Sequence, residues 1–390
     1  MRAGDKTIEI SASDLSHFLG CRHRTGLDIA VARRLLTAPS GVDPIVMLLQ
    51  QRGLAHERSY ADSLRDDGLK VIDLADRYGD DALSTSVEAM RSGLDVILQP
   101  ALRGGKWFGR PDILRRVEGS SNFGAWSYEV FDTKLAKETR GGTVLQLALY
   151  SHLLGEIQGK QPEYFSVVTP DLDEPIQKYR TDDYAAYFRL IRDQLDATSG
   201  LEPKAITDAN YPERVDHCDV CRWWQRCDKR RHDDDHLSLV AGISHLQIRE
   251  FQSAGVATLA ELASLPIPLP FTPRRGAVDT YENTREQARV QLKGRLGGIL
   301  YHELLPIELG QGLTRLPVPS PGDIFLDLEG DPFARDGGRE YLFGLVSVSA
   351  NGAVKYRSFW AYNDAQERAA FESVMDLILE SLKAHPDWSN

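Results

Sequence analysis

The stretch that most limits what this chain can become is residues 109–154. There Asp112 is followed twenty residues later by Asp132-Thr133-Lys134, and then by Gln146 and Tyr150. Ser127–Lys134 (SYEVFDTK) is dense in aromatic and β-branched residues, the composition of a strand. Ile113–Val117 supplies a partner strand, with Gly119–Gly124 as the turn. Gly141-Gly142 closes the next loop, and Thr143–Leu154 carries a helical pattern. Residues two apart on a strand project to one face, so Asp132 and Lys134 point the same way. Residues four apart on a helix are neighbours, so Gln146 and Tyr150 share a face. A hairpin leading into a helix predicts an α/β fold with acids and a lysine gathered at one place.

That set of groups suits phosphodiester hydrolysis. Attack by water is slow, and the transition state gains negative charge; a divalent cation lowers the pKa of water and neutralises that charge. Hard cations such as Mg²⁺ or Mn²⁺ take oxygen ligands, which Asp112 and Asp132 would supply. Lys134 would orient the water and stabilise charge on the phosphate, while Gln146 and Tyr150 would hydrogen-bond the backbone of a substrate. Taken singly, an acid-x-lysine is also the pattern of a solvated strand face, and His56 that of a surface histidine. Their joint order carries the reading.

Pro111-Asp112, Asp132-x-Lys134, Gln146-Leu-Ala-Leu-Tyr150 and, upstream, Gly53-Leu-Ala-His56-Glu57 occur in sequence. In this order they resemble the PD, acid-x-Lys, QxxxY and GxxHE motifs of the RecB-like branch of the PD-(D/E)xK nucleases. The resemblance implies a restriction-endonuclease-like core over residues 1–230 and a metal site of His56, Asp112 and Asp132. It implies catalytic roles for Asp112, Asp132, Lys134, Gln146 and Tyr150.

The chain has four cysteines: Cys21, and then Cys218, Cys221 and Cys227 spaced C-x₂-C-x₅-C. The N-terminus lacks the apolar core of a signal peptide, so disulfides are not expected and a cytoplasmic location is the default. Four thiolates hold either structural Zn²⁺ or a [4Fe–4S] cluster. One cysteine before the nuclease motifs and three after them is similar to the iron–sulfur RecB-like nucleases, including CRISPR-associated exonucleases and the AddB nuclease domain. The resemblance therefore implies a [4Fe–4S] cluster that ties the two ends of the domain together, with Trp223 and Trp224 packing around it.

Thr7–Ser11 reads as a strand, Ser13–Ser16 as a capped helix start, residues 44–66 as a helix carrying His56, and residues 84–98 as a strand or helix. Tyr164–Thr169 reads as a strand and Thr181–Ala197 as a helix. Residues 228–236 (DKRRHDDDH) read as a charge-dense linker. Residues 237–300 hold two short helices with Gly242 and Gly255, which resemble a helix–hairpin–helix unit, and a helix over Tyr281–Leu296. The helix pair fits phosphate binding through helix N-termini and equally fits plain packing.

From Pro319 to Asn390 the pattern is strand (Asp323–Gly330), strand (Tyr341–Ser349), strand (Val354–Ala361) and helix (Asp364–Ala384). Asp327 and Glu329 share one strand face. This resembles the start of a ribonuclease H-like exonuclease of the DEDD group. The later acidic motifs of that group do not follow, so the resemblance implies a truncated domain and an incomplete second site. The whole order looks like a family of RecB-like nucleases, some of which continue into a superfamily 1 helicase. No GxxxxGK[ST] occurs, so a helicase would have to be a partner or a further region of the chain.

A net charge of −11 argues against a broad basic coat for nucleic acid. Local basic clusters (Arg103, Lys106, Arg110, Arg115 and Arg116 beside the site; Arg274, Arg275, Arg285, Arg289, Lys293 and Arg295 later) are candidate DNA contacts, the alternative being a plain solvated face. No apolar run approaches the length of a membrane span. The expectation is a metal-dependent deoxyribonuclease acting on single-stranded DNA or DNA ends in repair or recombination. The alternative is a non-catalytic nucleic-acid-binding or helicase-docking module.

Overall fold

The computed structural model describes residues 1–390 except 5–7, 41–43, 137, 171–173, 321, 333, 335–336, 349–351 and 385–390. Thr7 and Ser349, expected in strands, lie outside the described residues. The chain forms two compact units, Met1–Glu303 and Leu304–Asn390. Both mix helices with sheets, the α/β class expected.

The first unit opens with strands β1 (Arg2–Ala3) and β2 (Ile8–Ser11) and helices α1 (Ala12–Gly20), α2 (Arg22–Ala32) and α3 (Pro44–Asp66). Then come β3 (Val71–Asp73), α4 (Gly79–Arg91), β4 (Val96–Leu98), β5 (Leu102–Gly104) and β6 (Trp107–Gly109). The hairpin β7 (Ile113–Ser121) and β8 (Gly124–Thr133) leads into α5 (Gly141–Gln158), followed by β9 (Tyr164–Val168), β10 (Ile176–Arg180), α6 (Thr181–Ser199) and α7 (Pro203–Ala209). Helices α8 (Trp224–Asp233), α9 (His245–Ser253), α10 (Leu259–Ser264) and α11 (Val278–Gly297) complete it.

The central sheet has the strand order β10-β9-β8-β7-β4-β3. β8 pairs antiparallel with β7 and parallel with β9, which requires the crossover through α5. Alternation along the strands sorts side chains to two faces. Ile97, Leu114, Val130 and Val167 join the core around α5, whereas Val96, Leu98, Ile113, Phe131 and Val168 join a second cluster with Ala61 and Leu64 of α3. By the same alternation Asp132 lies on the α5 side and Thr133 on the α3 side.

α5 is buried nearly all round, as expected for a helix inside a layer rather than on a surface: Leu145, Leu147, Leu149 and Leu154 are fully enclosed. Gln158, at its last turn, is also enclosed. It accepts from Tyr128 N (2.9 Å) and donates to the carbonyls of Tyr128 (3.2 Å) and Lys160 (2.8 Å), which fastens α5 to β8.

Several boundaries differ from the sequence reading. Gly141-Gly142 begin α5 rather than end the preceding loop. The first helix is capped by Ser11, not Ser13; Ser11 N donates to Asp14 Oδ2 at 2.7 Å. Residues 84–98 divide into the end of α4 and the strand β4. The expected linker at 228–236 is largely helical. Its charges are spaced four apart as Lys229–Asp233 (2.7 Å) and Arg230–Asp234 (2.5 Å), pairs that support a helix.

Helices α9, α10 and α11 surround a core of their own, with Phe251, Leu262, Tyr281 and Ala288 buried in it. Gly242 and Gly255 both have positive φ (75° and 83°), as the turns before and after α9 require.

In the second unit β11 (Ile324–Asp331), β12 (Arg339–Val348) and β13 (Val354–Trp360) form an antiparallel sheet, with α12 (Asp364–Ala384) packed on it through Phe343, Leu345, Ala370 and Val374. Among the described residues no helix is long and apolar enough to cross a membrane.

Candidate functional site

Asp112 immediately precedes β7, and Asp132 stands at the end of β8, its neighbour in the sheet. Asp112 is held by Thr133, whose backbone N–H (2.8 Å) and hydroxyl (2.9 Å) both donate to Asp112 Oδ2. Asp132 is 1% exposed, and Lys134 Nζ donates to its Oδ2. Burial and the charge of Asp112 push the Asp132 carboxyl up to about 7, even with Lys134 opposing. Burial disfavours the Lys134 ammonium, yet the charges of Asp132 and Asp112 outweigh it and its pKa is raised. A buried place with two carboxylates and one ammonium is short of positive charge.

Helix α3 brings His56 and Glu57 to this edge. His56 Nε2 lies 3.3 Å from the Val168 carbonyl oxygen, which also accepts from Lys134 N at 2.9 Å. Glu57 is joined to Asp112 through Gln99: Gln99 Nε2 donates to Glu57 Oε1 (2.5 Å) and to Asp112 Oδ1 (3.4 Å). Burial, and next the charge of Asp112, raise the Glu57 pKa. On α5, Gln146 Nε2 donates to Tyr150 OH at 3.1 Å, so the pair does share a face. Burial raises the Tyr150 pKa, with the charges of Asp132 and Asp112 contributing. Tyr150 fits against Gly109, where a Cβ would come within 2.4 Å of its ring.

Each carboxylate is thus engaged by a protein donor. Among the described residues no group of three or more His, Cys, Asp or Glu side chains is arranged to hold a metal ion. The donor chemistry nevertheless fits a hard divalent cation: oxygen ligands, a deficit of positive charge, and donors (Lys134, Gln99) occupying carboxylate oxygens.

The basic residues expected to contact DNA beside the site are mostly occupied internally. Arg110 donates to the carbonyls of Gln99 (2.8 Å), Leu74 (2.5 Å) and Arg77 (2.8 Å). Arg116 pairs with Asp95 (2.5 Å), Lys106 with Asp196 (2.6 Å) and Arg103 with Glu9.

All four cysteines line one enclosed cavity, together with Trp223 and Trp224, and none is in a disulfide. Two sulfurs accept from backbone N–H groups, Cys21 Sγ from Arg24 (3.4 Å) and Cys218 Sγ from Val215 (3.5 Å). Burial raises the thiols of Cys21 and Cys221, and pushes Cys227 up to about 12. Four thiols lining one cavity, two of them accepting N–H···S contacts, are the donor set of a thiophilic centre, whose positive charge would favour the thiolates, although among the described residues they are not arranged as a metal-holding group.

What joins the two cysteine-bearing segments is a residue the motifs did not single out. Asp28 of α2, 5% exposed, accepts from Trp223 Nε1 (2.7 Å), Arg222 Nη2 (2.6 Å) and Arg24 Nε (3.2 Å). Arg24 also meets His217 Nε2. The sequence offered no signal for Asp28 or Gln99, since their partners are distant in the chain. Glu57 stood beside His56 without a role of its own.

Asp327 and Glu329 lie on the exposed edge strand β11, opposite Gly344 and Leu342 of β12. No third acid joins them in a metal-holding group among the described residues. No protein-family model matches the chain, and no curated protein matches it.

Proposed function

We propose that this chain is a metal-dependent deoxyribonuclease of the RecB-like PD-(D/E)xK type, hydrolysing phosphodiester bonds of single-stranded DNA or DNA ends. The observation that carries this is the buried Asp132 carboxylate, set beside Asp112 and Lys134 at the mouth of adjacent strands. Asp112 and Asp132, with His56, would hold Mg²⁺ or Mn²⁺; when bound, the cation lowers the pKa of water and neutralises charge on the phosphate. Lys134 lies against Asp132 and would donate to a phosphate oxygen as negative charge develops there. Gln146 and Tyr150 present hydrogen-bonding groups from α5 that would orient the substrate backbone.

In this reading the four cysteines hold a [4Fe–4S] cluster, with Zn²⁺ the alternative, as a clasp rather than a reactive centre. The helix pair α9–α10 would either meet DNA phosphates or serve packing alone, and helicase activity would come from a partner or a further region of the chain. Asp327 and Glu329 take no part in cleavage.

The test is cleavage of end-labelled single-stranded DNA with Mg²⁺ or Mn²⁺ by the full chain, beside Asp132→Ala and Lys134→Ala. Each variant should lose at least about 100-fold in rate, the scale of removing one charge-stabilising group, while keeping its circular dichroism. Unimpaired cleavage by either folded variant removes the assignment, and no cleavage by folded wild type favours the docking module.

A further inference from the structure

Gln99 departs from what its sequence position requires. It is one of three described non-glycine residues with positive φ (50°), the others being Arg34 and Asp235, and it precedes Pro100. An L side chain in this region is uncommon and strained. The backbone is held there from both sides. Gln99 N donates to the Asp112 carbonyl (2.8 Å), and the Gln99 carbonyl accepts from Arg110 Nε (2.8 Å). Arg110 is itself anchored on Leu74 and Arg77.

The result is a side-chain amide set between two carboxylates that come from different elements, Glu57 of α3 and Asp112 at the start of β7. Two half-buried carboxylates brought together repel unless a donor or a cation stands between them. Lys134 already serves Asp132, and Thr133 serves the other oxygen of Asp112. The NH₂ group of Gln99 is the donor shared by Glu57 and Asp112.

We propose that Gln99 is a positioning residue that stands in for the cation: its amide bridges Glu57 and Asp112 while the site is metal-free and yields that place when a divalent cation arrives. The inference rests on the metal-dependent reading above and deepens it. An amide suits this task because its oxygen and nitrogen exchange places by a half-turn about χ3. The same side chain donates to carboxylates when the cation is absent and presents an oxygen when it is present. Glu57 thereby becomes part of the surroundings that set cation affinity.

The test is thermal unfolding of the full chain as wild type, Gln99→Met, Glu57→Gln and the double variant, each with EDTA and with Mn²⁺. Methionine keeps the length of the side chain and bears the same backbone strain, so only the donor is lost. In EDTA, Gln99→Met should lower Tm by about 3 °C, the scale of one lost charge-assisted hydrogen bond in a unit of this size. Most of that deficit should vanish in the Glu57→Gln background, where the repulsion is gone. Mn²⁺ should also remove most of it in the chain that retains Glu57.

A deficit equal in both backgrounds overturns the bridge, while a Mn²⁺-induced rise in wild-type Tm would leave the nuclease reading standing. A coupled pair in EDTA with no Mn²⁺ effect on any variant overturns the metal site of that reading, and the stand-in role with it.

Discussion

Replacing Asp28 with alanine should unlatch the cysteine-bearing segments from each other. The carboxylate accepts from the buried indole N–H of Trp223 and the buried guanidinium of Arg24, and from the more exposed Arg222. Removing it leaves the Trp223 indole N–H enclosed without its acceptor and the Arg24 guanidinium without its carboxylate, facing only His217 Nε2. Breaking a buried charge pair in this way costs about 3–5 kcal/mol; Arg222, exposed to solvent, adds little. For a unit of this size the loss should lower Tm by on the order of 10 °C.

The pH dependence follows from the carboxyl's surroundings. Burial favours the protonated form, but the bonds from Trp223 and Arg222 and the charge of Arg24 outweigh it, so its pKa is held below the ordinary 3.8. A depressed carboxyl stabilises the fold above its unfolded pKa and loses that contribution as pH falls through the folded value. The deficit of Asp28→Ala should therefore be full at pH 7 and shrink only below about pH 4. Urea unfolding of both proteins in metal-free buffer measures it, and the rate of thiol labelling reports the cysteine cavity. A variant within 1 kcal/mol of wild type at pH 7, with unchanged labelling, would refute the latch.

Three further outcomes are expected. Gly109→Ala should displace the Tyr150 ring and slow DNA cleavage more than it lowers Tm; a rate equal to wild type would mean that Tyr150 does not touch substrate. Burial raises the pKa of Glu129, with Lys178 and Tyr164 N only partly opposing, so the unfolded chain ionises first and stability falls as pH rises through the Glu129 titration. Glu129→Gln should match wild type near pH 4 and exceed it by pH 7, as read from denaturation midpoints. Protein purified without oxygen should carry iron and sulfide in the ratio of a [4Fe–4S] cluster and lose both in Cys227→Ala; stoichiometric zinc in a colourless sample would replace the cluster with zinc.

The parts of the molecule that could be read from sequence are those whose information is local. Strand β8 announces itself through SYEVFDT, and its alternation places Asp132 opposite Thr133 without any knowledge of partners. Helix α5 is legible from its apolar density, and the shared face of Gln146 and Tyr150 follows from their spacing. The helix α8 was not legible because Asp, Lys and Arg in a run look like solvated chain until their spacing of four is weighed. Nothing in the word glutamine encodes a left-handed φ: Gln99 acquires it from Arg110 and Asp112, and its amide reaches Glu57, 42 residues earlier. Asp28 depends in the same way on Trp223, 195 residues later.

That last separation has a consequence for the protein as it is made. At about 5–20 residues per second a ribosome needs roughly 10–40 s to reach Trp223 after Asp28 has emerged. For that interval α2 carries a carboxylate destined for burial with only Arg24 beside it. The central sheet and α5 are all synthesised in the meantime. The segment that closes on α2 carries Cys218, Cys221 and Cys227, so three of the four thiols can join Cys21 only after the central sheet and α5 have been made.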